Sequence, residues 1–542
     1  MQISALGYEE EWKELITSFG SGAELGNIIL RPRLLAGVEI VASKKTIEHR
    51  GTDVILNVAN TPLSNAGTAN DLLRNAPKVS QDRNGGLSVL GKGQAVIYLD
   101  GQRVNTPGIL SSLSAQEIQR VEILENPPAR YEAAGNAVIN IITRQHSLSG
   151  YKFGFLQEFG LGRYFRATTR ANAYYKFDRL LLQGTYGYRP WTFGSYFRQT
   201  RQLIDNPQGE ITDNQYWLKN SRSQHDFDLR LAYALTPQSS LKLQFSATDL
   251  GVEKLGRNLR DISRNEESQL QVSSLVTGPT RQRTKTANLL YETHFDSLGS
   301  NLQVAAQVST FDFNRTEAIR QRFTPELLPE LSRNSGNQNA IDVMSVQADY
   351  HKQWSSGVHW EAGLKTAKIT NESGAQLTEL SAEGATIALP DFTNTYRYHE
   401  AIHAAYSSLK FSLAGWNTVV GVRAEKATSK GYSGLGEMAP LFSRDFLDVF
   451  PSLSASKQLS ETFSANFGYA YRINRPVFQD LNPYVLYVDT LVSLRGNPAL
   501  LPEYSHSFTL GLQLQKWNLQ LSYVHTNDKI NQIYRSPDPA NP

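Results

Sequence analysis

The chain of 542 residues carries 54 lysines and arginines against 51 aspartates and glutamates, no cysteine, and 25 tyrosines with 23 phenylalanines. Charges of both signs are spread along it without a basic face, which excludes a nucleic-acid surface, and the missing thiols exclude disulfides, thiolate metal sites and cysteine catalysis. No stretch nears 18 consecutive apolar residues, so transmembrane helices are excluded, whereas a barrel hides its strands in period-two alternation and stays open.

In chain order, MQISALGYEEEWKELITSFG has acidic residues where a signal peptide needs a basic start and an apolar core. Either the chain stays in the cytoplasm or the sequence starts inside an exported protein. Residues 1–32 read as the tail of a small β-domain, too short for a core of its own. Residues 33–149 read as a small α+β unit. Within it, LLAGVEIVAS (34–43) is an extended segment that fits either a linker or a strand added to a partner's sheet edge. TANDLLRNAP predicts a helix capped by Thr68, AVIYLDG a strand, and LSAQEIQRVEIL a helix. Gly91 and Gly93 in SVLGKGQ fit a turn between two strands better than an anion cradle. Val121–Leu124 and Val138–Ile142 predict two strands joined by a turn through Asn126 to Asn136, with Arg144 leading to a new strand at Tyr151.

From Gly150 the pattern is strands alone. In FDLRLAYAL, Phe227, Leu229, Leu231 and Tyr233 share one face and Asp228, Arg230 and Ala232 the other. FTLGLQLQ and NLQLSY repeat this, with Leu512 apolar beside the opposing Gln513. Tight turns fall near Asp178, Pro237, Leu298, Ser355, Ala414, Ser460 and Lys516. Between them lie polar stretches such as GVEKLGRNLRDISRNEESQLQVSSLVTGPT and NRTEAIRQRFTPELLPELSRNSGNQN, which read as long loops. Short turn, long loop, and one oily face per strand predict a mainly β fold: an antiparallel transmembrane β-barrel over residues 150–542. Trp354, Trp360, Trp416 and Trp517 stand beside the tight turns, where an interfacial aromatic girdle belongs. About 15 strands are countable by Ile530. An odd count ending in SPDPANP reads as an incomplete barrel, because backbone groups in lipid must all be paired.

HEAIH (399–403) matches the zinc-protease pattern. On a helix its histidines lie about 6 Å apart and share a metal; in a strand they are about 13 Å apart. The surrounding alternation puts Tyr396, Tyr398, Ile402, Ala404 and Tyr406 on one face and His399 and His403 on the other, so these histidines are expected in a strand, facing the lumen. No GxxxxGK[ST] loop or GxSxG elbow occurs.

AVIYLDGQRV (95–104) and IQRVEILENPPARYEAAGNAVINIITR (118–144) resemble the plug domain of TonB-dependent outer-membrane receptors, in the form common among Bacteroidetes. VGVRAE (421–426), YRINRPVFQDLNP (471–483) and LRGNPALLPEYSHSFTLG (494–511) resemble the barrel of the same group. ISALGYEE and LGNIILRP resemble the end of the carboxypeptidase-regulatory-like β-sandwich that often precedes such plugs. The resemblance implies a plug at 33–149 inside a 22-stranded barrel of which about 15 strands are present. It implies energised uptake of an unidentified ligand, with no catalysis and no cofactor. It marks Asp100, Gly101, Arg120, Glu122, Tyr131, Gly135 and Asn140 as plug-motif residues. By position, Val38, Glu39, Ile40 and Val41 correspond to the TonB box. The implied partners are TonB, outer-membrane lipid and a surface lipoprotein; the implied location is the outer membrane. A passive or structural outer-membrane barrel and a zinc hydrolase are the competing readings.

Overall fold

A computed structural model describes residues 45–533 apart from breaks at 51–52, 83–85, 105–109, 111–112, 136, 145–148, 203–209, 266, 326–328, 382–383, 435–439, 484, 490–491 and 516, together with Gln2–Ile3 and Glu11–Trp12. The chain divides into two units, Met1–Lys45 and Thr46–Pro542. Of the first, the described residues are Lys45 and an antiparallel pair of two-residue strands, Gln2–Ile3 with Glu11–Trp12. The TonB-box candidate Val38–Val41 lies outside the described residues.

The second unit begins with the expected α+β body. Its sheet runs in the order Ile47–Arg50, Asp53–Asn57, Ile118–Leu124, Ala137–Thr143, Gly93–Leu99, Leu87–Val89, Val79–Gln81, with Gln102–Arg103 added beside Gly93–Leu99. Ala137–Thr143 pairs in parallel with Gly93–Leu99 and antiparallel with Ile118–Leu124. The helix Ala69–Arg74 starts where expected: Thr68 Oγ1 accepts the Asp71 amide and the Asp71 carboxylate accepts the Thr68 amide, a closed capping box. Leu72 and Leu73 of this helix pack with Val54, Leu56, Val121, Ile123, Ile139 and Ile141 in a buried apolar core. The helix expected in LSAQEIQRVEIL is absent: a 3-10 turn, Ala115–Glu117, leads directly into the strand Ile118–Leu124. Sheet partners on both sides of that strand outweigh the helical spacing, and its β-branched Ile118, Val121 and Ile123 suit the pleat.

From Gly150 a sixteen-stranded antiparallel sheet follows, in which each strand of the path pairs with the next along the chain. Fifteen strands form the path, from Gly150–Gly160 to Trp517–Asn527, and the short Thr386–Ala388 pairs to one side. The tight turns near Asp178, Pro237, Leu298, Ser355, Ala414 and Ser460 fall where the sequence places them, and Lys516 lies outside the described residues. The polar stretches read as long loops are instead paired strands: Ser239–Arg264 continues into Glu267–His294, the latter 28 residues long. A strand needs only about 9–11 residues to cross a bilayer. Beyond that depth water wets both faces, so the hydrophobic alternation fades while the backbone ladder continues.

The face assignments hold for FDLRLAYAL and FTLGLQLQ. Phe227, Leu229 and Tyr233 are exposed on the outer face while Asp226 and Asp228 are buried within; Phe508 and Leu510 are exposed while Ser507 and Thr509 are buried. HEAIH does lie in a strand, Asn394–Leu413, but its orientation is opposite to expectation. Tyr396, Tyr398, Ala404 and Tyr406 are buried on the inner side, whereas His403 is exposed on the same side as Leu409 and Leu413. Tyrosines here pack inside, and His403 at the outer face shares a hydrogen bond of 2.9 Å with Thr366. Beside the tight turns, Phe295, Tyr350 and Trp360 form an outer-face aromatic chain with ring centroids 6.0 and 5.9 Å apart.

Candidate functional site

Inward-pointing residues of strands as far apart as Leu180–Gln202, Asn301–Thr324, His359–Leu380, Trp416–Ser433 and Trp517–Asn527 reach the α+β body. The large sheet therefore wraps around it. Contact concentrates on the segment 125–135, ENPPARYEAAG, which joins the strands Ile118–Leu124 and Ala137–Thr143.

The segment is shaped by its own side chains. Tyr131 is buried edge-on against Tyr98, centroids 4.8 Å apart at 74°, and the Arg130 guanidinium lies 4.8 Å over the Tyr131 ring. Gly135 takes φ +87°, and a Cβ there would come within 2.6 Å of Val96 Cγ2, so glycine is required twice over. The remaining expected motif residues are grouped but lie elsewhere. Arg120 donates to Glu122 at 2.9 Å and Asn140 to Glu122 at 3.0 Å, a polar trio on the sheet. Asp100 and Gly101, at φ 49° and 81°, make the turn after Gly93–Leu99, and the Asp100 carboxylate accepts both the amide and the hydroxyl of Thr143.

The wall grips this segment through charges that sequence reasoning did not single out. Glu132 accepts from Lys365 of the barrel at 2.6 Å and pairs with Arg103 of the α+β body. Burial alone would raise the Glu132 carboxyl, but Arg103 and Lys365 outweigh it and hold the group well below the usual carboxylate range. Arg472 donates to the Glu132 carbonyl at 2.8 Å and to the Pro127 carbonyl. Glu425, almost wholly buried, accepts the Ala133 amide at 3.3 Å and Arg423 at 2.6 Å on one oxygen, and Arg475 at 2.8 Å on the other. The Ile473 amide donates to the Ala133 carbonyl at 3.2 Å, adding a short parallel bridge between wall and segment. A small apolar contact of Ala133, Phe450 and Ile473 accompanies it.

A second anchor lies at the start of the segment. Glu125 pairs with Lys78 and accepts from Gln520 of the strand Trp517–Asn527 at 2.6 Å. Lys92, in the turn after Leu87–Val89, reaches Ser507 and, at 3.3 Å, Thr509 on the wall. Burial pulls the Lys92 ammonium below its ordinary value, with Glu125 opposing. Asp53 accepts the Glu125 amide at 3.1 Å, yet burial pushes its carboxyl up to about 7. The wall thins to glycine where it meets Asn126: a Cβ on Gly468 would lie 2.4 Å from the Asn126 amide nitrogen.

Such an arrangement holds one folded body inside another through hydrogen bonds and ion pairs that water can replace. Among the described residues no cluster of three or more histidine, aspartate or glutamate side chains could hold a metal ion. The wrapped sheet, its oily outer face and its charged inner grip define an outer-membrane β-barrel filled by an α+β body. Residues 293–541 match the model of the outer membrane protein beta-barrel family. No protein among the curated sequences matches the chain. Among solved structures, the chain is similar to the ferric yersiniabactin uptake receptor FyuA from Yersinia pestis, at 16% identity and a TM-score of 0.58 over 89% of this chain and 73% of that one. It is also similar to the copper transporter OprC, at 13% identity and a TM-score of 0.54 over 88% of this chain and 72% of that one. A third is the siderophore receptor PirA from Acinetobacter baumannii, at 15% identity and a TM-score of 0.51 over 88% of this chain and 70% of that one. These are transport receptors rather than enzymes, and the fold is theirs.

Proposed function

We propose that the chain is a TonB-dependent outer-membrane receptor that takes up a ligand by moving its plug, the α+β body of residues 46–149. The observation that carries this reading is the contrast between two interfaces. The plug's own core is apolar, with Val54, Leu72, Ile123 and Ile139 fully or almost fully buried, whereas its hold on the wall runs through Glu132, Glu425, Lys92 and Glu125. A dry apolar interface would fix the plug, because separating it exposes oily surface; ion pairs and hydrogen bonds can be exchanged for water as the plug shifts. On this reading ligand is caught on the long-strand side, and TonB pulls the segment that precedes Ile47–Arg50, with Val38–Val41 as the box it grips by strand addition. Asp100, Gly101, Arg120, Glu122, Tyr131, Gly135 and Asn140 keep the plug's shape. Outer-membrane lipid surrounds the barrel, and a surface lipoprotein is a further partner.

Deleting residues 34–43 in cells that make the protein tests the energised part. Ligand-dependent uptake should fall to the level seen without TonB while ligand binding to the surface persists. Uptake unchanged by the deletion would sink the TonB reading and favour a passive barrel.

A further inference from the structure

On the inner wall, beyond the contacts with the plug, neighbouring strands bring five residues into one row. Trp191 pairs with Arg222, Arg222 with Val252, Val252 with Thr280, and Thr280 with Arg315. All five share the inward face with Asp226, Thr284 and Glu317, which are buried. Trp191 and Arg315 stand eight residues farther from the tight turns than Gln183 and Gln307, the residues on the same strands that hydrogen-bond to the plug. At about 3.3 Å per residue this places the row roughly 26 Å along the strands from those contacts, toward the side of the long extensions.

The two arginines are held in a way that leaves their charge unspent. The Arg222 guanidinium lies 4.6 Å from the Phe193 ring centre and 5.6 Å from that of Trp191; Arg315 lies 5.9 Å from that of Phe313. The Nε atoms of both are buried without a hydrogen-bond partner. The nearby carboxylates are already engaged by other cations, Asp226 by Arg189 at 3.6 Å and Glu317 by Lys254 at 2.8 Å. Among the described residues neither Arg222 nor Arg315 has a carboxylate within ion-pair distance. Between them the floor is Val252 and Thr280, small and uncharged, so three strand spacings, about 14 Å, separate two aromatic-backed guanidinium groups.

A guanidinium stacked on a ring keeps its N–H fork in a fixed plane, which suits a carboxylate, phosphate or sulfonate. From this row we infer that the receptor's ligand is a polyanion with a flat body, bound across Arg222 and Arg315 with Trp191 and Phe193 beneath one end. The inference rests on the receptor reading only for the ligand's onward fate; binding itself needs no energy source.

The test uses the full chain in detergent micelles with pyrene-1,3,6,8-tetrasulfonate as probe, followed by fluorescence anisotropy at low salt. Binding should be saturable and weakened by added salt, and a tetracationic pyrene of equal size should not compete. Arg222→Gln and Arg315→Gln should each weaken binding by about ten- to a hundredfold, the worth of a charge-assisted hydrogen bond. Val252→Glu, which removes neither arginine, should weaken it as much. Arg283→Gln, on the outer face of a neighbouring strand, should leave it unchanged. Single variants within twofold of the unsubstituted protein, or equal binding of the tetracation, would overturn the assignment. Because the readout is equilibrium binding, an unaltered uptake on deleting residues 34–43 would reject energised transport without touching this result, and failure here would leave energised transport standing.

Discussion

Replacing Glu132 with alanine removes the one plug carboxylate that both Arg103 and Lys365 share. Taking away one partner of a buried pair costs about 3–5 kcal/mol, because the other charge is left unpaired. Here the two arms differ. The Arg103 side chain is 41% exposed and can turn to water, while that of Lys365 is 10% exposed and cannot. The Lys365 arm is thus expected to dominate, at about 2–3 kcal/mol of plug attachment. Hydrogen exchange followed by mass spectrometry over residues 125–135 reads this directly, since the Ala133 amide is protected by Glu425 across the interface. A loss of that size should speed exchange there by about 30- to 150-fold. Adding Lys365→Ala to Glu132→Ala should restore part of the protection, because the stranded cation is gone. Exchange within threefold of the unsubstituted protein in Glu132→Ala would refute the view that this ion pair latches the plug.

Asp53 gives a pH dependence of definite sign. Its carboxyl is raised by burial from 3.8 to about 7, so the folded plug binds a proton that the unfolded chain has released. Its contribution to stability is therefore complete below about pH 4, declines as pH rises through the window to about 7, and is level above it. Exchange of the strand Asp53–Asn57, corrected for intrinsic rates, should rise across that window, and Asp53→Asn should abolish the rise. Leu510, 41% exposed on the outer face, should tolerate arginine poorly: about 2–4 kcal/mol if it lies near the bilayer midplane, measured by folding into vesicles, and an unchanged yield would reverse the face assignment. Arg475→Gln removes the donor to one oxygen of Glu425; exchange at Ala133 should rise although Arg475 does not itself hold the plug, and an unaltered rate would show that Glu425 keeps its place without it.

Much of the barrel is legible in the sequence because the bilayer imposes a pattern. Phe227 to Tyr233 and Phe508 to Leu514 alternate since lipid stands on one side and the wet interior on the other. Where strands rise past the lipid, as in Leu250–Arg264 and Gln271–Thr284, both faces meet water and the residues look like loop although the ladder continues. HEAIH misleads for a related reason. Inside this barrel the plug and wall bury tyrosines, so aromatic residues do not mark the lipid side there; Leu409 and Leu413 carry that information. In the plug, Val121–Leu124 is legible as a strand, but its start at Ile118–Arg120 hides behind helical spacing because pairing on both edges, a non-local effect, decides its state. The latch itself is half visible. Glu132 and Arg130 stand in a conspicuous segment, but Lys365, Arg423, Glu425 and Arg472 lie hundreds of residues away. Alternation shows that they point inward, not which plug atom each one meets.

Glu425 joins the hold on the α+β body to a second segment of the wall. One of its oxygens serves the plug, through the Ala133 amide, and Arg423; the other serves Arg475, at the foot of the segment 475–502. That segment is itself docked against the wall, with Arg444 donating to the Pro498 carbonyl and Phe478 and Leu500 packed on Tyr396 and Tyr398. Without Arg475, Glu425 would keep Arg423 as its one guanidinium partner in a nearly closed site, so exchange at Ala133 in Arg475→Gln reads whether this carboxylate couples the segment to the plug. Packed apolar side chains also transmit displacement, but an ion pair adds a longer-ranged response that depends on charge. An ion shared by the α+β body and the wall segment makes the hold on one depend on the position of the other.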